Sequence, residues 1–140
     1  ALRSPGSTFK IFPYAAALTA GFHPEDKFLD VERCWGSYCP KNFGNKYLGK
    51  VSLADAFKNS LNTVAVDLLE QVGFNKVIFT ANQLGIKNIS KAEKYYSLAI
   101  GSYEQTVLDM TAAYAGITNR GKYIEPTPFE EIRGPKNILL

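Results

Sequence analysis

Ser7-Thr8-Phe9-Lys10-Ile11-Phe12-Pro13-Tyr14-Ala15-Ala16-Ala17-Leu18-Thr19-Ala20 follows Pro5-Gly6 and reads as an apolar helix stopped by Gly21, with a Ser-x-x-Lys tetrad at its mouth. Positions i and i+3 of a helix share a face, so the Ser7 hydroxyl and the Lys10 amine come within reach of one another. A serine hydroxyl is a weak nucleophile at neutral pH and needs a base beside it. Lysine can be that base where burial disfavours its ammonium form. Phe9, Ile11, Phe12, Tyr14 and Leu18 supply apolar surroundings for Lys10. The start of the helix adds unpaired N–H groups and a positive dipole end, suited to an oxyanion forming at Ser7. Read alone, the tetrad has a plainer meaning: Ser7 caps its helix and Lys10 is a solvated first-turn residue.

The second polar cluster is Ser60-Leu61-Asn62. A helix begins at Ser52, whose Ser-x-x-Asp spacing to Asp55 resembles a capping box. A second helical pattern runs through Val64, Val66, Leu68, Leu69 and Val72 and stops at Gly73. Between them, Asn59-Ser60-Leu61-Asn62 favours a local turn over helix interior. A loop tip there presents a hydroxyl and a carboxamide together, unless these residues only cap the two helices.

The remaining pattern is mostly helical. Lys76 to Gln83 reads as a helix closed by Gly85. Thr106 to Asn119 reads as another, with Thr106 and Asp109 at capping spacing and Gly121 as its stop. Phe22 to Gly49, rich in Pro, Gly, Asn and aromatics, reads as a long ordered loop lying over the helices. Pro126, Pro128 and Pro135 favour extended chain or a strand start. The fold class is therefore mainly α, with little strand and no internal repeat.

With 140 residues, 46% hydrophobic and 21% charged, the chain can bury a core as one globular unit. Its net charge of +3 is scattered, with no basic stripe interleaved with aromatics, which argues against nucleic acid as a partner. No run of roughly 18 or more apolar residues occurs, so these residues hold no membrane-spanning helix. A zinc site needs about four ligands, and His23 is the only imidazole beside Cys34 and Cys39. His23 reads as a loop residue. No metal or cofactor is called for.

The two clusters and the residues around them resemble the penicillin-binding transpeptidases of the bifunctional, class A type. Arg3-Ser4-Pro5-Gly6-Ser7-Thr8-Phe9-Lys10-Ile11-Phe12 is similar to that family's Pro-Gly-Ser-x-Phe-Lys block. Tyr38-Cys39-Pro40-Lys41-Asn42-Phe43 resembles its Tyr-x-Pro-x-Asn-Tyr/Phe stretch, and Ser60-Leu61-Asn62-Thr63 its Ser-x-Asn motif. Leu98-Ala99-Ile100-Gly101-Ser102, followed by Thr106 to Ala115, is similar to its Leu-Ala-Leu-Gly segment and the helix after it. The matches run in order along nearly the whole chain.

The resemblance implies acyl-enzyme chemistry on peptidoglycan stem peptides ending in D-Ala-D-Ala, with β-lactams as mimics of that donor. By motif, Ser7 is the nucleophile, Lys10 takes its proton, Ser60 relays a proton to the leaving group and Asn62 binds the substrate amide. Lys10 Nζ is then expected near both Ser7 Oγ and the Ser60 hydroxyl. The implied setting is extracytoplasmic, anchored by a segment outside this chain, with cell-wall synthesis proteins as possible partners. In such a compartment Cys34 and Cys39 close a small disulfide loop, free thiols being the alternative. Trp35, Tyr38 and Phe43 either line the substrate groove or pin their loop onto the core, and Tyr95, Tyr96, Tyr103 and Tyr114 read as packing residues. The family's third motif, Lys-Thr-Gly, is not in this sequence: neither Gly121-Lys122-Tyr123 nor Gly134-Pro135-Lys136 matches it. Residues 1–140 are therefore expected to be the helical part of a transpeptidase domain, with most of the sheet and the third motif outside it, and to be inactive alone. A serine β-lactamase or a non-enzymatic penicillin-sensing domain of the same fold is the alternative implication. The plainest one is a helical interaction module.

Overall fold

The computed structural model describes residues 1–87, 89, 95–131 and 133, so Pro135 and residues 134–136 lie outside the described residues. At the centre lies helix α3 (Asn62–Val72), in which Val64, Ala65, Val66, Leu68 and Leu69 are all fully buried. A helix with so wide an apolar face has to be packed against by several others. Here α1 (Ile11–Thr19), α4 (Phe74–Gln83) and a 3-10 turn over Tyr96–Ile100 pack against it. Phe9, Phe12, Ala17, Val77, Ala81, Leu98 and Ala99 are among the other fully buried core residues.

The first helix differs from the expected one. Residues Gly6–Lys10 form a 3-10 turn, and α1 proper starts only at Ile11. Pro13 is the reason: it has no N–H to donate and its ring crowds the preceding turn, so the chain before it tightens from α to 3-10 geometry. The end of α1 is as the sequence implies. Phe22 N–H reaches back to Ala17 O at 3.0 Å and Gly21 N–H to Leu18 O at 3.2 Å. That pairing requires the left-handed backbone which Gly21 adopts at φ +98°.

Two capping spacings hold. Ser52 Oγ accepts from Asp55 N–H at 3.0 Å at the start of α2 (Leu53–Lys58), and Thr106 Oγ1 accepts from Asp109 N–H at 3.0 Å at the start of α5 (Val107–Thr118). Around the helices lie two antiparallel ribbons. Strand β1 (Leu2–Arg3) pairs with β4 (Gln105–Thr106), and β2 (Lys27–Asp30) pairs with β3 (Gly49–Ser52). The second ribbon corrects the reading of Phe22 to Gly49 as irregular loop. Lys27-Phe28-Leu29-Asp30 does alternate exposed and buried, but over only four residues and with an aspartate at one buried position, which masks the period. Beyond Gly121 the described chain carries no ribbon partner around Pro126 and Pro128.

Cys34 and Cys39 are joined in a disulfide. The loop it closes is also held by paired bonds between Trp35 and Tyr38, and it docks on α3. Trp35 Nε1 donates to Glu70 Oε2 at 2.7 Å, Arg33 lies 4.1 Å over the indole, and Arg33 pairs with Asp67 at 3.2 Å. Trp35 thus pins its loop to the core, whereas Phe43 is fully exposed and pins nothing. Replacing both cysteines by serine is expected to lower stability by about 2 kcal/mol, the loop-closure value for so short a loop. A shift in the urea midpoint reads this, and an unchanged midpoint would contradict it.

Candidate functional site

Four segments converge on the Ser-x-x-Lys tetrad. Ser7 is exposed on the 3-10 turn, whose N-cap position is Pro5, so Ser7 is not the cap of its helix. Among the described residues its hydroxyl makes no hydrogen bond. Lys10, at the end of the same turn, is 1% exposed. Side chains three apart in a 3-10 turn eclipse one another, so Ser7 and Lys10 project from one side of it.

The reach of Lys10 is the central geometric fact. Its Nζ donates to the Ser60 carbonyl at 2.6 Å, to Ser60 Oγ at 3.0 Å and to Asn62 Oδ1 at 2.6 Å. Three acceptors saturate the three hydrogens of an ammonium group. The structure therefore brings Lys10, Ser60 and Asn62 together: the contact with the Ser60 hydroxyl is the expected one, and that with Asn62 is additional. Ser7 Oγ, also expected against Nζ, is not among the partners of Lys10. Burial opposes the charge and lowers the lysine from its ordinary 10.5 to about 8.

Ser60 holds this place at a conformational cost. Its φ is +54°, in the left-handed region that side chains other than glycine rarely adopt, and such residues persist only where their surroundings fix them. The turn from α2 supplies one restraint, with Ser60 N–H on Phe57 O at 3.0 Å and Leu61 N–H on Ala56 O at 3.0 Å. Asn62 is anchored as well, its Nδ2 donating to Lys41 O at 2.7 Å.

The turn bearing Ser7 has its own supports. Gly6 N–H donates to Gly101 O at 3.3 Å, Ser4 Oγ donates to the same oxygen at 2.6 Å, and Tyr114 on α5 donates its hydroxyl to Thr8 O at 2.8 Å. Burial raises the Tyr114 phenol above its ordinary range, which keeps it a protonated donor and suits a packing role. Tyr96 likewise packs, its ring against Trp35 and Phe74. His23 is exposed, its N–H on Asp26 Oδ2 at 2.8 Å.

Gly101 is a supporting residue that the likeness to the family's Leu-Ala-Leu-Gly segment includes without giving it a role. Its φ is +77°, and a Cβ built there would lie 2.1 Å from Gly6 O and 2.8 Å from Gly6 N. That backbone cannot yield without moving the residue beside Ser7. Gly101→Ala is expected to cost about 2 kcal/mol of stability through backbone strain. Displacing the turn by about 1 Å should slow any reaction at Ser7 by about 100-fold. Thermal unfolding and a rate of covalent labelling check both, and a variant labelled at the wild-type rate would contradict the second.

Known proteins resemble the chain in both sequence and fold. The family model described as the penicillin-binding protein transpeptidase domain matches residues 2–137. Penicillin-binding protein 1A of Rickettsia prowazekii (strain Madrid E) is 40% identical over 132 residues, covering 90% of this chain and 16% of the relative. The chain thus spans about a sixth of the length of that relative. Among solved structures, the PonA1 protein of Mycobacterium tuberculosis in complex with penicillin V is similar with a TM-score of 0.91 and 25% identity, over 100% of this chain and 41% of that one. The imipenem acyl-enzyme complex of penicillin-binding protein A from M. tuberculosis is similar with a TM-score of 0.85 and 25% identity, over 99% of this chain and 37% of that one.

Proposed function

The chain belongs to the penicillin-binding protein transpeptidase domain family, and on that footing we propose that residues 1–140 are the helical part of a D,D-transpeptidase domain working through an acyl-serine intermediate. The observation that carries the proposal is the buried Lys10, held on Ser60 and Asn62 one 3-10 turn from an exposed Ser7.

Ser7 Oγ attacks the carbonyl of the penultimate D-Ala of a peptidoglycan stem peptide. Lys10, as the neutral amine, takes the Ser7 proton. The C–N bond to the terminal D-Ala breaks, and Ser60 passes a proton to the departing nitrogen. An acceptor amine then attacks the acyl ester, which forms the crosslink and returns the hydrogen to Ser7. Asn62 offers its carboxamide to the donor's amide backbone. Its second Nδ2 hydrogen is left for this role, since the first is on Lys41 O.

The three contacts of Lys10 suggest why Ser60 is the relay. A neutral amine has two N–H groups and one lone pair, so one acceptor must be exchanged for a donor when the proton leaves. The Ser60 carbonyl and Asn62 Oδ1 can only accept, but a hydroxyl both accepts and donates. Ser60 Oγ, at 3.0 Å the longest of the three contacts, is the partner that fits both protonation states.

A β-lactam enters the same sequence, except that the departing nitrogen stays tethered to the acyl group. The setting is outside the cytoplasmic membrane, with anchoring by a segment beyond these residues, and the Cys34–Cys39 disulfide suits an oxidising compartment. With no Lys-Thr-Gly motif in its sequence, the 140-residue chain by itself is not acylated. Incubation with penicillin V and intact-mass analysis tests the reading. The full-length protein carrying this segment should gain the whole mass of the drug, because ring opening expels nothing, and should keep it for many minutes. The 140-residue chain should gain nothing. An adduct that turns over within seconds would favour the β-lactamase reading, and no adduct on a folded full-length protein would overturn both.

A further inference from the structure

Beneath the Ser60–Asn62 turn lies a buried polar cluster that the chemistry above does not use. Asp30 is wholly buried, Thr63 is 1% exposed and Asn42 is 6% exposed. One oxygen of Asp30 accepts from Asn42 Nδ2 at 2.7 Å and from the Thr63 hydroxyl, and the other accepts from Leu48 N–H at 2.8 Å. The second hydrogen of Asn42 Nδ2 goes to Lys46 O at 3.1 Å. Asn42 Oδ1 accepts from the N–H groups of Asn62 at 2.8 Å and Thr63 at 3.3 Å. Every hydrogen-bonding position of the Asn42 carboxamide is thus filled, with acceptors around its nitrogen and donors around its oxygen. It has one orientation only.

That orientation matters because α3 has no cap of its own. Its N-cap is Leu61, which offers no side-chain acceptor to the first N–H groups of the helix. Asn42 fills that place from 20 residues upstream. Its neighbour Lys41 accepts from Asn62 Nδ2, so one dipeptide grips Asn62 by backbone and side chain together. Immediately before it stands Ser60, held at φ +54°.

We propose that Asn42, locked in orientation by the buried Asp30 carboxylate, is a positioning residue that aims Ser60 and Asn62 at Lys10. It acts through the loop, without contact with the reacting atoms, and the inference rests on the acyl-serine reading above. Asn42→Asp keeps the shape and the acceptor for Asn62 and Thr63 but sets two carboxylates face to face, which pries the Lys41–Asn42 segment from the loop. The double variant Asp30→Asn with Asn42→Asp reverses donor and acceptor and restores the contact between residues 30 and 42, while the bond to Lys46 O stays lost.

The test uses the full-length protein with two readouts, the rate of acylation by penicillin V and amide hydrogen exchange at Asn62 and Thr63. Asn42→Asp should slow acylation by about 100-fold, the cost of misplacing a reacting group by about 1 Å. Exchange at the two amides should quicken by at least about tenfold as their acceptor is withdrawn. The double variant should recover part of both, since the 30–42 contact returns and the Lys46 O bond does not. A folded Asn42→Asp protein with wild-type acylation and exchange would overturn the proposal. So would a double variant that folds but recovers neither readout, including the case in which Asn42→Asp alone does not fold. If the wild type is not acylated at all, the acyl-serine reading falls, and the exchange data still decide whether Asn42 holds the loop.

Discussion

Ser7→Ala in the full-length protein is expected to abolish covalent labelling by penicillin V while leaving the fold unchanged. Loss of the nucleophile from a serine acyl-enzyme typically lowers turnover by about a millionfold, which puts labelling below detection. The structural cost should be small, because Ser7 is exposed and among the described residues its hydroxyl makes no hydrogen bond. Surface changes of that kind usually stay within about 0.5 kcal/mol. The contrast between full loss of labelling and an unmoved unfolding temperature separates a chemical role from a structural one. A helical interaction module in which Ser7 is a bystander predicts no labelling in either protein.

Lys10→Met carries the second large effect. Removing a general base costs about 10²–10⁴-fold, and acylation should fall by that factor. Because burial brings Lys10 down to about 8, the wild-type rate should rise about tenfold per pH unit below that value and flatten above it. In Lys10→Met the rise should be gone. A linked stability effect has a definite sign. Between about 8 and 10.5 the unfolded chain still holds the lysine proton while the folded one has released it, so this group makes stability increase with pH across that window. Methionine also leaves the part-buried Ser60 carbonyl and Asn62 Oδ1 without their donor, at about 1 kcal/mol for each lost hydrogen bond. Kinetics and urea titration across pH 6 to about 10 read both effects. A pH-independent acylation rate in the wild type would remove Lys10 from the role of base.

Much of the site was legible because helix caps and short motifs are local. The Ser52–Asp55 and Thr106–Asp109 caps, the stop at Gly21 and the turn between two helices at Ser60 follow from residues within a few positions of each other. Pro13 was equally local and shortens α1 by a turn, which the apolar run around it obscured. Spacing also put Ser7 and Lys10 on one side of their turn, but could not say that Lys10 spends all three hydrogens on Ser60 and Asn62. What the sequence alone did not carry are contacts between distant segments. Asn42 lies 20 positions from Asn62, and Gly101 lies against Gly6, so no periodicity joins them. The ordered block Tyr38 to Phe43 did flag the Asn42 segment, through its likeness to a family stretch and not through any chemistry visible in the residues.

The central claim is that Ser7 is the acylated residue. Digesting the penicillin V adduct with trypsin tests it directly, since cleavage after Arg3 and Lys10 isolates a peptide that begins at Ser4. Fragmentation of that peptide should place the added mass on Ser7. An adduct found instead on the tryptic peptide that begins at Asn59, at Ser60, would contradict the account.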